Sequence, residues 1–279
     1  MKEFWQHIPE KINPVFLSLG PLDLRYYGMM YVLAIITGYF LFLYRVKRES
    51  FPYPEKKAED FFLWMVIGVI LGGRLGYVLF YGFDYYIQHP LEIFLPFQFE
   101  GGVTYTGITG MSYHGGLAGA VLAALWFCRK SIPSFWTYVD YLMPCIPAGY
   151  TFGRIGNFLN GELFGRVTSA PWGMYFPADP LGKLRHPSQL YEAFFEGVLL
   201  FVILWSIRKK NLFPGFLFSV YLLGYGFVRF FIEFTREPDA HIGFVFGSLT
   251  MGQILCLGMI FIAVLFLIFL PKPQKTKAS

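Results

Sequence analysis

Seven stretches of the chain are almost continuously apolar: 26–44, 61–81, 114–128, 137–158, 189–207, 214–234 and 248–270. Crossing a bilayer takes about 20 mostly apolar residues, with a range of about 17–25. Six stretches meet that length. The stretch 114–128 reaches it only with the small residues just before it. The pattern therefore predicts seven transmembrane helices, with six as the fallback count. No stretch shows the alternation of an outer-membrane barrel strand. The fold expected is an all-α integral membrane protein, one transmembrane domain over residues 1–279.

Lys and Arg set the orientation. Arg45, Lys47, Arg48, Lys56 and Lys57 follow the first span, Arg129 and Lys130 the third, and Arg208, Lys209 and Lys210 the fifth; Lys272, Lys275 and Lys277 occupy the tail. With seven spans all four clusters fall on one face, which the positive-inside rule makes cytoplasmic. The N-terminus and the links 82–113, 159–188 and 235–247 are then outside and the C-terminus cytoplasmic. Segment 161–187 holds Pro171, Pro177, Pro180 and Pro187 with several glycines, a density that predicts a compact, turn-rich external cap. Residues 1–24 lack the basic region and apolar core of a cleavable signal peptide. "KINPVFLSLGPLDL" is too broken to span and reads as an amphipathic segment on the outer membrane surface.

Composition supports the membrane reading: 15% of residues are charged, against about 25% in soluble domains. The net charge of +5 sits in the cytoplasmic clusters and does not indicate nucleic-acid binding. Cys128, Cys145 and Cys256 lie in or at the ends of apolar spans, with no CxxC or His/Cys metal spacing. They read as small buried hydrophobes.

Against this background the polar residues at membrane depth stand out, because such groups usually face a cavity, a partner or a substrate. "GRIGNFLNGELFGR" (153–166) puts Arg154 and Asn157 on one helical face. Small-residue helix packing explains its glycines but neither of those two residues. In "YGFVRFFIEFTREPD" (225–239), Tyr225, Arg229, Glu233 and Arg236 share a stripe. Arg229 and Glu233 also read as an internal ion pair, and Arg236 as a lipid-headgroup anchor. "SYHGGLAGA" places His114 at the outer end of a span, where a lone histidine is often only an interfacial hydrogen-bonder. In "RHPSQLYEAFFEG", Gln189, Glu192 and Glu196 form a stripe suited to pairing with the arginines. "LRYYGMMY" puts Arg25, Tyr26 and Tyr27 at the start of span one, a position that an aromatic belt also explains.

Two arginines can each grip a phosphate through paired hydrogen bonds, and His114 can accept a proton. No Ser-His-Asp, zinc or paired-aspartate constellation is present, and no metal or organic cofactor is implied. A phosphate clamp beside a base suits a reaction in which a phospholipid phosphate leaves while a nucleophile loses its proton.

Seven blocks, in order, resemble those of the bacterial prolipoprotein diacylglyceryl transferase family: "SLGPLDLRYYGMMY", "GGRLGYVLFY", "HGGLAGA", "GRIGNFLNGELFGR", "RHPSQLYEAFFEG", "GYGFVRFFIEFTREPD" and "MGQIL". The fourth is the family's signature. The resemblance implies transfer of a diacylglyceryl group from phosphatidylglycerol to the lipobox cysteine thiol of a prolipoprotein signal peptide. A thioether forms and glycerol phosphate leaves. It also implies a multi-pass protein of the bacterial inner membrane, surrounded by membrane lipids, with its site toward the outer leaflet. The family's functional positions fall on Tyr27, His114, Arg154, Asn157, Glu162, Gly165, Tyr225, Arg229, Glu233 and Arg236.

On that reading Arg154 and Arg229 hold the phosphate. His114 assists thiol deprotonation, or the arginine field lowers the thiol pKa and His114 only positions. Asn157, Tyr27, Tyr225, Gly165 and Arg236 contact the substrates, while Glu162, Glu192 and Glu233 fix the arginines. A transporter of organic anions or an anionic-lipid scaffold would also carry intramembrane arginines. The transporter should show repeats and interrupted helices, and the scaffold needs no base.

Overall fold

Long apolar runs satisfy their own backbone only as helices, and the chain folds accordingly. The computed structural model describes residues 2–20, 22–99, 102–105, 110–129, 132–210, 212–237, 244–247 and 249–270. Lys130, Lys272, Lys275 and Lys277 lie outside the described residues. Among the described residues five helices are long and apolar enough to cross a membrane: α1 (Tyr26–Arg48), α2 (Glu55–Tyr81), α6 (Ser188–Ile207), α7 (Phe216–Thr235) and α8 (Met251–Phe269). Their outward faces carry large exposed apolar side chains such as Phe40, Phe80, Phe261 and Phe269. Such faces need lipid as solvent, so this is a multi-pass membrane protein.

Two expected spans differ. The stretch 114–128 forms α3 (Tyr113–Phe127), an apolar helix of 15 residues and shorter than the other five. The stretch 137–158 is not one helix but two, α4 (Ile132–Leu142) and α5 (Cys145–Leu159). The break falls at Met143–Pro144, because proline lacks the amide proton that would continue the ladder and restricts the residue before it. Among the described residues three antiparallel pairs accompany the helices: Val15–Leu19 with Leu22–Arg25, Phe97–Gln98 with Thr104–Tyr105, and Phe244–Phe246 with Leu249–Thr250. The first pair lies within the segment read as amphipathic near the N-terminus. Its turn runs through Gly20 at φ +61°.

The chain forms two compact units, one of Met1–Arg45 with Val139–Ser279 and one of Val46–Tyr138. In the second, α2 and α3 approach through glycines. A Cβ on Gly119 would lie 2.1 Å from the Gly68 carbonyl oxygen, so no side chain fits there. Buried Arg74 ties the following link to α2 by donating to the carbonyls of Ile93 (2.6 Å) and Glu92 (2.7 Å).

In the first unit, α5 lies on α1, with room for only 3.1 Å between a Cβ on Gly149 and the Ala34 carbonyl oxygen. Arg45, read from sequence as one of a cytoplasmic basic cluster, is 1% exposed. Its Nη1 donates to the carbonyls of Asp140 (2.8 Å) and Tyr141 (2.7 Å). Asp140 in turn accepts the backbone amides of Gly215 (2.7 Å) and Phe218 (3.0 Å), capping the start of α7. The three cysteines are buried, as their settings suggested.

Asp140→Ala should therefore leave two buried amides without an acceptor and destabilise the protein by about 1–3 kcal/mol. Thermal unfolding of the detergent-solubilised variant measures this as a lowered midpoint, with membrane insertion retained.

Candidate active site

Three helices bring charge to one place through simple spacing. On α5, Tyr150, Arg154 and Asn157 follow at intervals of four and three. On α6, Gln189, Glu192 and Glu196 follow at intervals of three and four, and residues Ala193–Leu199 of that helix form a π-helical turn. Such turns often sit at functional sites. Here α5 crosses the turn closely: a Cβ on Gly197 would lie 2.2 Å from Thr151 Oγ1. On α7, Tyr225 and Arg229 lie one turn apart. Glu233 opens a 3₁₀ turn, and Arg236 follows it in extended backbone.

Glu192 is the centre of the cluster. Its Oε2 lies 2.7 Å from Arg154 Nε and 3.3 Å from Arg229 Nη1, while its Oε1 accepts Arg236 Nη1 at 2.8 Å. Three guanidiniums, one from α5 and two from the end of α7, thus share one carboxylate. Glu233 is the second acid: its Oε2 lies 2.9 Å from Arg229 Nη2 and 3.6 Å from Arg236 Nε. Thr250, within a capping box that starts α8, donates its hydroxyl to Glu233 Oε1 at 3.1 Å. Glu196 is the third, 3.7 Å from Arg229 Nη1 and hydrogen-bonded by the Tyr150 hydroxyl. The Tyr150 ring also lies under Arg154, 4.7 Å from its guanidinium carbon.

Arg154 further donates to Asn157 Oδ1 (3.1 Å), and Asn157 donates to Glu162 Oε1 (2.8 Å). Glu162 therefore reaches Arg154 through Asn157 rather than by a direct salt bridge, because the turn after α5 aims its carboxylate at Asn157 and Asn160. The acids are sealed while the bases keep an open edge. Glu192 and Glu196 side chains are 1% and 0% exposed, against 15% for Arg229 and 18% for Arg154 and Arg236. The cluster can offer guanidinium N–H groups to an arriving anion while its carboxylates hold those groups in place. Among the described residues no group of three His, Cys, Asp or Glu side chains is arranged to hold a metal ion.

Segment 161–187 packs beside this cluster. The Gly165 amide donates to the His186 carbonyl (2.8 Å), and a Cβ on Gly165 would lie 2.2 Å from the Thr235 carbonyl oxygen. Gly165 is thus required where the segment meets the end of α7. Arg166 Nε donates to the Arg236 carbonyl (2.5 Å), holding Arg236 from its backbone side. Arg185 clasps Asp179 (Nε to Oδ2 2.9 Å, Nη2 to Oδ1 2.8 Å) and reaches Glu237 (2.8 Å). The Arg185 guanidinium pulls the Asp179 carboxyl down to about 2. Burial lowers the His186 imidazole below its ordinary value.

The cluster thus unites Arg154, Asn157, Glu162, Glu192, Arg229, Glu233 and Arg236. Tyr27 is placed against α5, its ring 3.6 Å from a Cβ built on Gly156, and Tyr225 meets the Tyr150 ring edge-on at 6.0 Å. Arg236, which also read as a headgroup anchor, is held by Glu192. His114 stands in the first turn of α3, exposed, with its ring 5.6 Å from Tyr113. It belongs to the unit Val46–Tyr138, and the arginines belong to the other. Tyr150, Thr250, Arg166 and the Arg185–Asp179 pair were missed by sequence reasoning. The spacing of four between Tyr150 and Arg154 and the T-x-x-Q pattern at Thr250 were the available signals.

Comparison with known proteins agrees with these motifs. The family described as "Prolipoprotein diacylglyceryl transferase" matches residues 14–269. A Chlorobaculum tepidum protein named phosphatidylglycerol–prolipoprotein diacylglyceryl transferase is 53% identical over 258 residues, covering 92% of this chain and 89% of that protein. A protein of the same name from Campylobacter jejuni subsp. jejuni is 47% identical over 265 residues (94% and 95%). Another, from Wolinella succinogenes, is 44% identical over 275 residues (98% of each).

Removing the shared acid should be costly. Glu192→Ala leaves three guanidiniums without their common partner and is expected to destabilise by about 3–5 kcal/mol, read as a lowered unfolding midpoint. The Asp179–Arg185 clasp predicts a pH effect. Its carboxyl ionises more readily folded than unfolded, so its contribution is complete above about pH 4 and fades as pH falls toward 2. Limited proteolysis within 161–187 should accelerate across that window, and Asp179→Asn should be cut readily at every pH.

Proposed function

This chain belongs to the prolipoprotein diacylglyceryl transferase family, and on that premise we propose how its charged cluster moves a diacylglyceryl group from phosphatidylglycerol to a prolipoprotein. The observation that carries the reading is the sharing of Glu192 by Arg154, Arg229 and Arg236. A phosphodiester monoanion needs several convergent, partly open N–H donors, and these three supply them.

The acceptor is the lipobox cysteine of the prolipoprotein signal peptide. Its sulfur attacks the glyceryl carbon that bears the phosphate ester. The carbon–sulfur bond forms as the carbon–oxygen bond breaks, and the electron pair leaves with glycerol phosphate. Negative charge grows on the phosphate oxygens at that moment, and Arg154 and Arg229 stabilise it. A free thiol ionises near about 8.5 and reacts as the thiolate. His114 takes the thiol proton, or the guanidinium field draws the thiol down and His114 positions it. Asn157 orients Arg154, with Glu162 behind it. Tyr27 and Tyr225 hydrogen-bond headgroup or peptide, and Gly165 keeps the segment 161–187 against the end of α7.

The broken α4–α5 pair counts as one crossing and α3 as another, giving seven spans. The basic clusters then face the cytoplasm, and 161–187 is an external cap. The site opens to the outer leaflet of the bacterial inner membrane, where lipid and secreted preprotein meet.

Purified protein given labelled phosphatidylglycerol and a lipobox peptide should add a diacylglyceryl mass to the peptide; an unmodified peptide would sink the reading. Arg154→Lys keeps the charge but loses the planar fork, and kcat should fall about 10²–10³-fold with insertion unchanged. His114→Ala separates the two routes to thiolate. Activity that recovers at high pH assigns His114 as the base, and a uniform loss assigns it to positioning.

A further inference from the structure

The cluster poses a charge problem. Three guanidiniums face three carboxylates in direct contact, and Glu162 adds a fourth acid through Asn157. A site with no surplus positive charge must nevertheless admit a lipid phosphate, which brings one more negative charge into a low-dielectric setting. One acid has to yield.

The distances single out Glu196. Glu192 and Glu233 have guanidinium contacts of 2.7 and 2.9 Å, whereas the guanidinium closest to Glu196 stands at 3.7 Å. Glu196 Oε1 and Arg229 Nη1 are both buried atoms without a hydrogen-bond partner. The other oxygen of Glu196 accepts the Tyr150 hydroxyl, and that hydroxyl lies 3.3 Å from Glu192 Oε2. Tyr150 has one proton to give. While Glu196 is ionised, Tyr150 gives it to Glu196. Once Glu196 carries a proton of its own, it donates to the Tyr150 oxygen, and Tyr150 turns its hydrogen to Glu192.

We propose that Glu196 is a charge-compensating residue of the transferase: it takes up one solvent proton as the phosphodiester binds, and Tyr150 passes the change to Glu192, releasing Arg229 Nη1 toward the phosphate. This rests on the lipid-binding role given to the cluster above. The groups acting on Glu196 are Glu192 on its own helix, Tyr150 and Arg154 on α5 and Arg229 on α7, with Tyr225 and Glu233 one contact further away against Tyr150 and Arg229. Cys256 on α8 completes the set. Of these, the arginines remain charged, and Glu192 and Glu233 are held by close guanidiniums. Glu196 acts through its neighbours and does not touch the reacting carbon.

The test uses the full chain in phosphatidylcholine nanodiscs, titrated with short-chain phosphatidylglycerol and no thiol peptide, so that binding proceeds without turnover. Calorimetry in two buffers of different ionisation enthalpy counts protons. We expect uptake approaching one proton per lipid bound, with affinity weakening by up to about tenfold per pH unit once Glu196 ionises in the free protein. Glu196→Gln should bind lipid with no uptake and a flat pH dependence. In the wild type, infrared difference spectra should gain a protonated-carboxyl band on lipid addition, whether or not the variant folds. Undiminished uptake in Glu196→Gln overturns the proposal, as does lipid binding by the wild type with neither uptake nor the new band. If the wild type lipidates the peptide while showing no uptake, only this inference falls. If it neither binds the lipid nor lipidates the peptide, the transferase reading falls with it.

Discussion

A single buried carboxylate, Glu192, holds three arginines that would otherwise repel one another at membrane depth. Bringing guanidiniums together in a low-dielectric region costs heavily in desolvation and repulsion, and an apolar core would pack with less penalty. On the proposed reading the arrangement persists because binding a lipid phosphate needs fixed, partly uncovered N–H donors. Glu192 holds Arg154, Arg229 and Arg236 at 2.7–3.3 Å while leaving 15–18% of each side chain exposed. A site assembled in advance spends little reorganisation when charge develops in the transition state.

The surrounding fold serves that constraint. The break at Met143–Pro144 starts a new helix that carries Tyr150 and Arg154 to the cluster. The π turn of α6 lies against α5 through Gly197, with Glu192 at its start and Glu196 within it. The segment 161–187 closes on the end of α7 at Gly165, and its Arg166 grips the backbone of Arg236. Arg45 and Asp140 do comparable work elsewhere in the same unit, joining α1, α4 and α7 through buried backbone groups. The buried arginines of this protein thus take two kinds of partner. Arg45 and Arg74 donate to carbonyl oxygens, and those of the site face carboxylates.

The helices at 26–48, 55–81, 188–207, 216–235 and 251–269 were legible from hydropathy, since bilayer thickness leaves a long apolar run one stable form. The arginines and glutamates of the cluster were legible as well, because charge is rare in such runs. Their spacing of three and four placed each on one stripe of its own helix. The same logic left the burial of Arg45 unseen, because the positive-inside rule counts residues and does not see carbonyls waiting in another helix. It also read one span across Pro144, where the ladder in fact breaks.

Sequence by itself determined the membrane class, most of the spans, the family motifs and the charged residues that the cluster gathers, since each is written in local spacing and composition. Tertiary structure alone decided which acid each arginine meets. It made Glu192 the common partner, put Glu162 behind Asn157, and joined Tyr150 to Glu196. Those pairings join α5, α6 and the end of α7, and salt bridges reach only a few ångströms. No spacing within one helix can encode them.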